Sequence, residues 1–553
     1  MDTIDREVQR ELTRTSTGMR AMTPTITTRP EKGDLSSAYA TDLATTNPSA
    51  EELRFQEADP GRNVLERLEG LYTQSSDGLQ IDLEETFRLG QSSSREYRRA
   101  VEDYMLAAIR LLIERHRWTP RLFNDTSVDL TFDPTDNDYQ TALGLVNELR
   151  ATQRLPFGGE VEAAWIASMA RQLTERVGDG YTRASQFVLN ANLPLLRNAG
   201  MSAREDLIQA ERDVVYAARA FERFRRELLV DLGRDYFNLV AQQAGIRNQE
   251  ARLRSVKRLL DQREALVAAG RSAAFESRNV EQNVLRSQAT LTNSRETFTL
   301  AVDRFKVRLG LPVESHVTIR SVSLVIPEPL IGVDDAAQLA LEYRLDYQND
   351  RDRVDDRRRE VEVARNQILP DFDLTARTFF ETDGVVQEDA LPLFDLDDTA
   401  YAIGMTFGLP LDREIERLNL RSAMINCQQA LLALERRRDD LVVDSRAAVR
   451  EVERSRFTLE LQLKAVEINE LRLKELEIKA DEVDAQQQLD AENELLQSRN
   501  DRDQAIRDLR VAILEYLLAT GQMRVKDDGT FQPLEGMNVR VEDGEDSGVP
   551  EPD

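Results

Sequence analysis

From Leu411 to Thr520 the chain contains neither glycine nor proline, and the run is bounded by Leu409-Pro410-Leu411 and by Gly521. A breaker-free stretch of that length is several times an ordinary globular helix, so it must fold as a helical rod or hairpin. The same grammar occurs earlier. Leu193-Pro194-Leu195 leads into a run from Arg197 to Leu309 that has no proline and only Gly200, Gly233, Gly245 and Gly270, and Gly310 ends it. Two copies of one unit, a short β-like segment feeding a very long helical hairpin, set the expected fold class: mainly α with β, duplicated long hairpins and four strands per chain.

Composition narrows the function. The 553 residues are 41% hydrophobic but only 6% aromatic, which suits long helices better than a thick globular core. With 73 basic against 100 acidic residues the net charge is −27, the wrong sign for a nucleic-acid surface. Cys427 is the single cysteine and lies inside the long helical run, so it reads as a packed residue, with no disulfide or thiolate metal site. His116 and His316 stand 200 residues apart without ligand spacing around either. No phosphate loop, nucleophile elbow or zinc signature occurs, so no catalytic residue, metal or cofactor is expected. No apolar stretch reaches the length of a transmembrane helix, and Met1-Asp2-Thr3-Ile4-Asp5-Arg6-Glu7 does not read as a signal peptide.

Along the chain, residues 1–80 read as a flexible extension rich in Thr, Ser, Arg and Glu. In the first repeat, 81–310, a helix over 83–118 stops at Pro120, and Val128 to Phe132 alternates as a strand. A less readable insertion over 133–183 holds a turn at Pro156-Phe157-Gly158-Gly159. A second strand follows, with Phe187, Leu189, Ala191 and Leu193 on one face. The long helix over 201–269 turns at Gly270 and returns over 272–309. A linker, 311–334, carries a β-like Val317 and Ile319. The second repeat, 335–523, repeats the order. Its helix over 335–369 stops at Pro370, a strand follows with Phe372, Leu374 and Ala376 on one face, and then a cleaner one with Tyr401, Ile403, Met405, Phe407 and Leu409. A long helix begins near Glu414. The acidic tail, 524–553, reads as disordered.

At ~1.5 Å per residue the first long helix spans roughly 100 Å, and the two shorter helices of that copy together roughly 110 Å, so two short helices end to end match one long helix. Val452, Leu459, Val466 and Leu473 recur every seven residues, a coiled-coil seam that any structural stalk would share. The strands discriminate better. About nine to eleven alternating residues suffice to cross a bilayer as a tilted strand. Four strands cannot close a barrel alone, so copies of the chain would have to share one. The alternative is a small soluble β-domain on a coiled-coil scaffold, which the missing leader favours.

In order and duplication these segments resemble the TolC-type outer-membrane efflux proteins over residues 81–523. "FGLPLDREIERLNLRSA" (407–423) is similar to the family's strand-to-helix signature, and "ALVAAGRSAAFESRNVEQN" (265–283) to its helix tip. "ALEYRLDYQNDRDRV" (340–354) resembles the opening of the second repeat, while "VRLGLP" (307–312) and "LATGQM" (518–523) resemble the ends of the return helices. The resemblance implies a homotrimer with a twelve-strand barrel in outer-membrane lipid and a periplasmic helical tunnel. It would be a passive conduit of an efflux or type I secretion system, joined through a periplasmic adaptor to an inner-membrane RND or ABC transporter.

It also implies two sites. The periplasmic gate falls on "QQQLDAENE" (486–494), where Asp490 matches the family's acid and Gln487 stands where a second acid is common. Adaptor docking falls on the two tips, Val267–Ser272 with Gly270 and Arg271, and Lys479–Asp484 with Asp481 and Asp484. The offset of 211 residues between Gly310 and Gly521 places Asp481 opposite Gly270, so an acid stands where the family often has glycine.

Overall fold

The computed structural model describes residues 79–135, 138–172, 182–271, 273–320, 328–329, 332–381, 399–478, 484–526, 529–531 and 539–540, together with Arg6 and Arg10. The N-terminal extension, most of the acidic tail and Asp481 therefore lie outside the described residues. The chain divides into two compact units. One comprises 1–12, 104–218 and 348–435; the other comprises 13–103, 219–347 and 436–553. Among the described residues no helix is long and apolar enough to cross a membrane.

In chain order the elements are β1 (Leu79–Ile81), α1 (Leu83–Ser93), α2 (Arg95–Arg117), β2 (Arg121–Thr135), β3 (Asp138–Arg154), β4 (Glu160–Gln172) and β5 (Thr182–Pro194). Then come α3 (Met201–Ala268), α4 (Ala274–Leu309), β6 (Val317–Ile319), β7 (Glu328–Pro329), α5 (Val333–Tyr343), α6 (Leu345–Asn366), β8 (Asp371–Glu381), β9 (Thr399–Gly408), α7 (Glu414–Ile478), α8 (Ala485–Ala519) and β10 (Val539–Arg540). The two long runs thus become helices of 68 and 65 residues, each followed by a helix about half as long.

The first unit is built on one antiparallel sheet of order β2-β3-β4-β5-β8-β9. This corrects the expectation of four strands per chain. The segment 133–183, which carries no clear alternation in the sequence, supplies a full-length hairpin, β3 and β4, between the two strands expected there. Its alternation is blurred because Ala163, Ala164 and Ala167 fall on both faces of β4, and because Val146 and Asn147 reverse the apolar and polar positions in β3. The Pro156-Phe157-Gly158-Gly159 turn joins the two strands, with both glycines at positive φ (105° and 85°). A side chain at Gly159 would start 1.9 Å from the carbonyl oxygen of Asn192, so only glycine fits there.

The second unit holds the main core. Leu228, Leu229, Leu232, Tyr236 and Phe237 of α3 pack with Phe87, Phe305, Leu309, Leu514 and Leu517. The parallel pair β1–β6 and the antiparallel pair β7–β10 also belong to it. The sequence reads each short helix as continuous, 83–118 and 335–369, and both are broken instead: at Ser94 (ψ 132°) and at Arg344 (ψ 119°). Neither position is a glycine or proline. The cause is tertiary, since the glycine that ends a return helix presses on each break. The Cβ missing from Gly310 would lie 2.1 Å from Ser93 O, and that missing from Gly521 would lie 2.9 Å from Tyr343 C. Both glycines are left-handed (φ 78° and 72°) and close the helix end with the same bonds, Leu311 N–H to Lys306 O and Gln522 N–H to Leu517 O, each 2.8 Å.

Candidate functional site

The sheet is the first candidate surface. Cross-strand register places Tyr401, Ile403, Met405 and Phe407 of β9 beside Thr378, Ala376, Leu374 and Phe372 of β8. Leu193, Ala191, Leu189 and Phe187 of β5 continue the same face. It then runs through Val161, Ala163, Trp165 and Ala167 of β4 and Ala151, Leu149 and Leu145 of β3, to Leu122 and Val128 of β2. Period two therefore collects most of the large apolar residues of six strands on one side. Every strand position expected to form a membrane face, Phe187, Leu189, Leu193, Phe372, Leu374, Tyr401, Ile403, Met405 and Phe407, lies on it. Tyr401 and Ile403 are 77% and 79% exposed, so among the described residues nothing covers this face at β9.

Several polar groups on that face pair with one another. Asn147 Nδ2 donates to Asn124 Oδ1 (2.9 Å) and Thr126 Oγ1 (2.7 Å), and Trp165 Nε1 donates to Ser185 Oγ (2.7 Å). Such local pairing is what an apolar solvent demands and what water makes unnecessary. The other face carries Asp125, Asp129, Glu148, Arg150, Glu162, Asn190, Asp373 and Arg377. A mainly apolar face opposite a charged face suits a wall between lipid and an aqueous lumen.

At the first helix tip, Gly270 is left-handed (φ 69°) and exposed, and Arg271 N–H closes the turn on Leu266 O at 2.8 Å. Arg271 is exposed beside it. At the second, Asp484 caps α8, its carboxylate accepting from Gln486 N–H at 3.3 Å. On α8, Gln487 and Asp490 share the exposed face, and Gln486 Nε2 donates to Asp490 Oδ1 at 2.9 Å.

The buried face of the same turns carries chemistry that the sequence reading passed over. Ala485, Gln488, Leu489 and Glu492 follow the helical spacing and pack toward Val256, Leu259, Val280 and Val284. Glu492 accepts from Ser255 Oγ, and Arg252 reaches Asn493 (2.5 Å) and Ser287 (2.7 Å). Burial pushes the Glu492 carboxyl above its ordinary value, with Glu477 adding to the push, against the Ser255 hydroxyl and Arg252. Arg263, 4% exposed, donates to Gln488 Oε1 at 3.1 Å. The signal was available: Glu492 stands seven residues from Ala485 and three from Leu489, on the apolar stripe.

A second ionic cluster surrounds Asp346 in Arg344-Leu345-Asp346, within the segment that resembles the opening of the second repeat. Asp346, just past the break at Arg344, is gripped by Arg344 (2.7 Å), Arg223 (2.5 Å) and Arg437. Burial alone would raise its carboxyl, but the three guanidiniums outweigh burial and hold it well below the usual carboxylate range. The cluster ties the junction of α5 and α6 to Arg223 of α3 and Arg437 of α7.

No protein-family model matches the chain, and no curated protein matches it by sequence. Solved structures do match. The CusC channel, studied for the conformational changes accompanying folding and transmembrane channel formation, is 15% identical with a TM-score of 0.60, over 80% of this chain and 93% of that one. The outer-membrane channel OprN is 17% identical, TM-score 0.60, over 79% and 89%. The CmeC outer-membrane channel of Campylobacter jejuni is 15% identical, TM-score 0.56, over 79% and 85%. With most of both chains superposed, this protein has the fold of these outer-membrane channels.

Proposed function

We propose that three copies of this chain form an outer-membrane channel, the passive exit duct of a tripartite efflux or type I secretion assembly. One observation carries the reading: a sheet with an uncovered apolar face, a charged opposite face and two unpaired edges, β2 and β9. In lipid those edges require partners, and further copies of the chain can supply them. In this arrangement the long helices continue into the periplasm as duplicated hairpins. The tips at Gly270–Arg271 and Asp481–Asp484 meet a periplasmic adaptor, behind which stands an RND or ABC transporter. Asp490, flanked by Gln487 rather than by a second acid, supplies one carboxylate per copy to the gate. Like charges gathered by three-fold symmetry attract cations.

Fractionation of the full chain expressed in a Gram-negative-type cell, followed by planar-bilayer recording, tests this. Detergent-extracted trimers from the outer membrane that conduct ions support it, whereas soluble rods without conductance return the chain to the scaffold alternative. Within an active channel, Asp490→Ala should lower cation selectivity; unchanged selectivity removes Asp490 from the gate.

A further inference from the structure

The hairpin β3–β4 is placed as part of the wall itself. It is hydrogen-bonded on both sides, pairing from Arg121↔Thr152 to Thr135↔Asp138 with β2, and from Glu160↔Asn192 to Ala170↔Thr182 with β5. It continues the mainly apolar face from β5 across to β2. Its Phe157 carbonyl accepts from Gly200 N–H at 2.8 Å, so the tight turn lies where β5 leads into α3 and both strands run the full length of their neighbours. Nothing in this arrangement is an appended flap.

We infer that the assembled channel has an eighteen-strand barrel, in which the β9 edge of each copy pairs with the β2 edge of the next. The inference rests on the channel reading above and fixes what encloses its lumen. Six strands are too few to close a transmembrane barrel, the smallest of which have about eight. An even number of alternating strands leaves β2 and β9 antiparallel to each other, so copies join head to tail around a ring with no break in alternation. Barrel diameter grows roughly linearly with strand number, so eighteen strands enclose a lumen about 1.5-fold wider, and about 2-fold larger in section, than twelve. Acidic Asp125, Asp129, Glu148 and Glu162 would line it. The duct would thus admit larger solutes at its outer mouth than a four-strand-per-copy ring does.

Two experiments read this out on the full-length trimer. Deleting residues 138–172 removes β3 and β4 and leaves β2 next to β5, still antiparallel. Neutral polymers of graded size, added on the barrel side of a planar bilayer, should be excluded from the deletion variant at about two-thirds of the diameter that the parent admits. Equal cut-offs overturn the inference. In a Cys427→Ser background, disulfide formation in membrane-extracted trimers provides a readout that does not need the deletion variant to fold. Thr126→Cys with Asn147→Cys, opposite each other in β2 and β3, should cross-link. Thr126→Cys with Ser185→Cys, two strands further apart in the sheet, should not. The reverse pattern would show the hairpin displaced and a twelve-strand ring, leaving the channel reading intact. Failure of the parent chain itself to reach the membrane removes both.

Discussion

Ile403→Arg set against Thr406→Arg separates a lipid-facing sheet from a soluble one. Ile403 lies near the middle of β9, on the apolar face, 79% exposed, and opposite Ala376. Thr406, three residues on, points to the charged face opposite Asp373. The ten residues of β9, at ~3.4 Å each and tilted by ~45°, cover roughly 24 Å, the height of a barrel's apolar band. Ile403 therefore sits ~10 Å in depth from either end of the strand, beyond the easy reach of a snorkelling guanidinium. An arginine there costs about 2–4 kcal/mol per copy, and roughly 6–12 kcal/mol for a trimer. At ~1.4 kcal/mol per tenfold that shifts insertion at least ~10⁴-fold. Thr406→Arg faces water and an acid and should cost little. The assay is the yield of trimer in urea-washed outer membranes. Loss of Ile403→Arg with retention of Thr406→Arg is the expected outcome. On a soluble sheet the exposed Ile403 would tolerate arginine within about 0.5 kcal/mol, so equal behaviour of the two variants refutes the lipid assignment.

The helical unit allows further tests. Asp346→Asn leaves three guanidiniums around a neutral amide and should destabilise by about 3 kcal/mol, the low end for a broken buried pair because Arg223 and Arg437 stay partly solvated. Because the folded carboxyl lies below its unfolded value, that contribution is complete above about pH 4 and fades as pH falls further, so the gap between parent and variant in denaturant unfolding should close in acid. Glu492 has the opposite sign: its raised folded value means ionisation costs stability as pH rises through it. Glu492→Gln should thus equal or exceed the parent in Tm at pH 7, with the advantage vanishing toward pH 4. A fall in Tm at pH 7 would count against this. Gly310→Ala and Gly270→Ala share a left-handed backbone, but only the first meets a carbonyl, at 2.1 Å. Gly270→Ala should cost about 1 kcal/mol and Gly310→Ala clearly more, by thermal unfolding; equal losses would show the break at Ser94 to be independent of the glycine.

The long helices were legible because their signal is an absence: without glycine or proline nothing interrupts α7 before Ile478, and Gly270 marks the turn after α3. β9 was legible because its inner positions are Ala402, Gly404 and Thr406 against large apolar neighbours. The breaks at Ser94 and Arg344 were not, since the residues that cause them, Gly310 and Gly521, lie more than 170 positions away in sequence. Glu492 was hidden among neighbouring acids, and only its position relative to Ala485 and Leu489 separates it from the exposed Asp490.

The hairpin was also recoverable, from spacing rather than from alternation. The two cap glycines are 211 residues apart, while Pro120 and Pro370, which stop the short helices, are 250 apart. Between proline and cap the first half is therefore longer by 39 residues, and a surplus of that size, too long for a loop, fits two strands and their turns. Parity gives the surplus its meaning. One extra strand would have delivered α3 to the opposite end of the sheet from α7, so a unit that must return its long helix to the same side can grow only by pairs. Each pair added to one half enlarges a three-copy ring by six strands without disturbing a helix. The charged and apolar faces of β3 and β4, in phase with their neighbours, are what such growth requires.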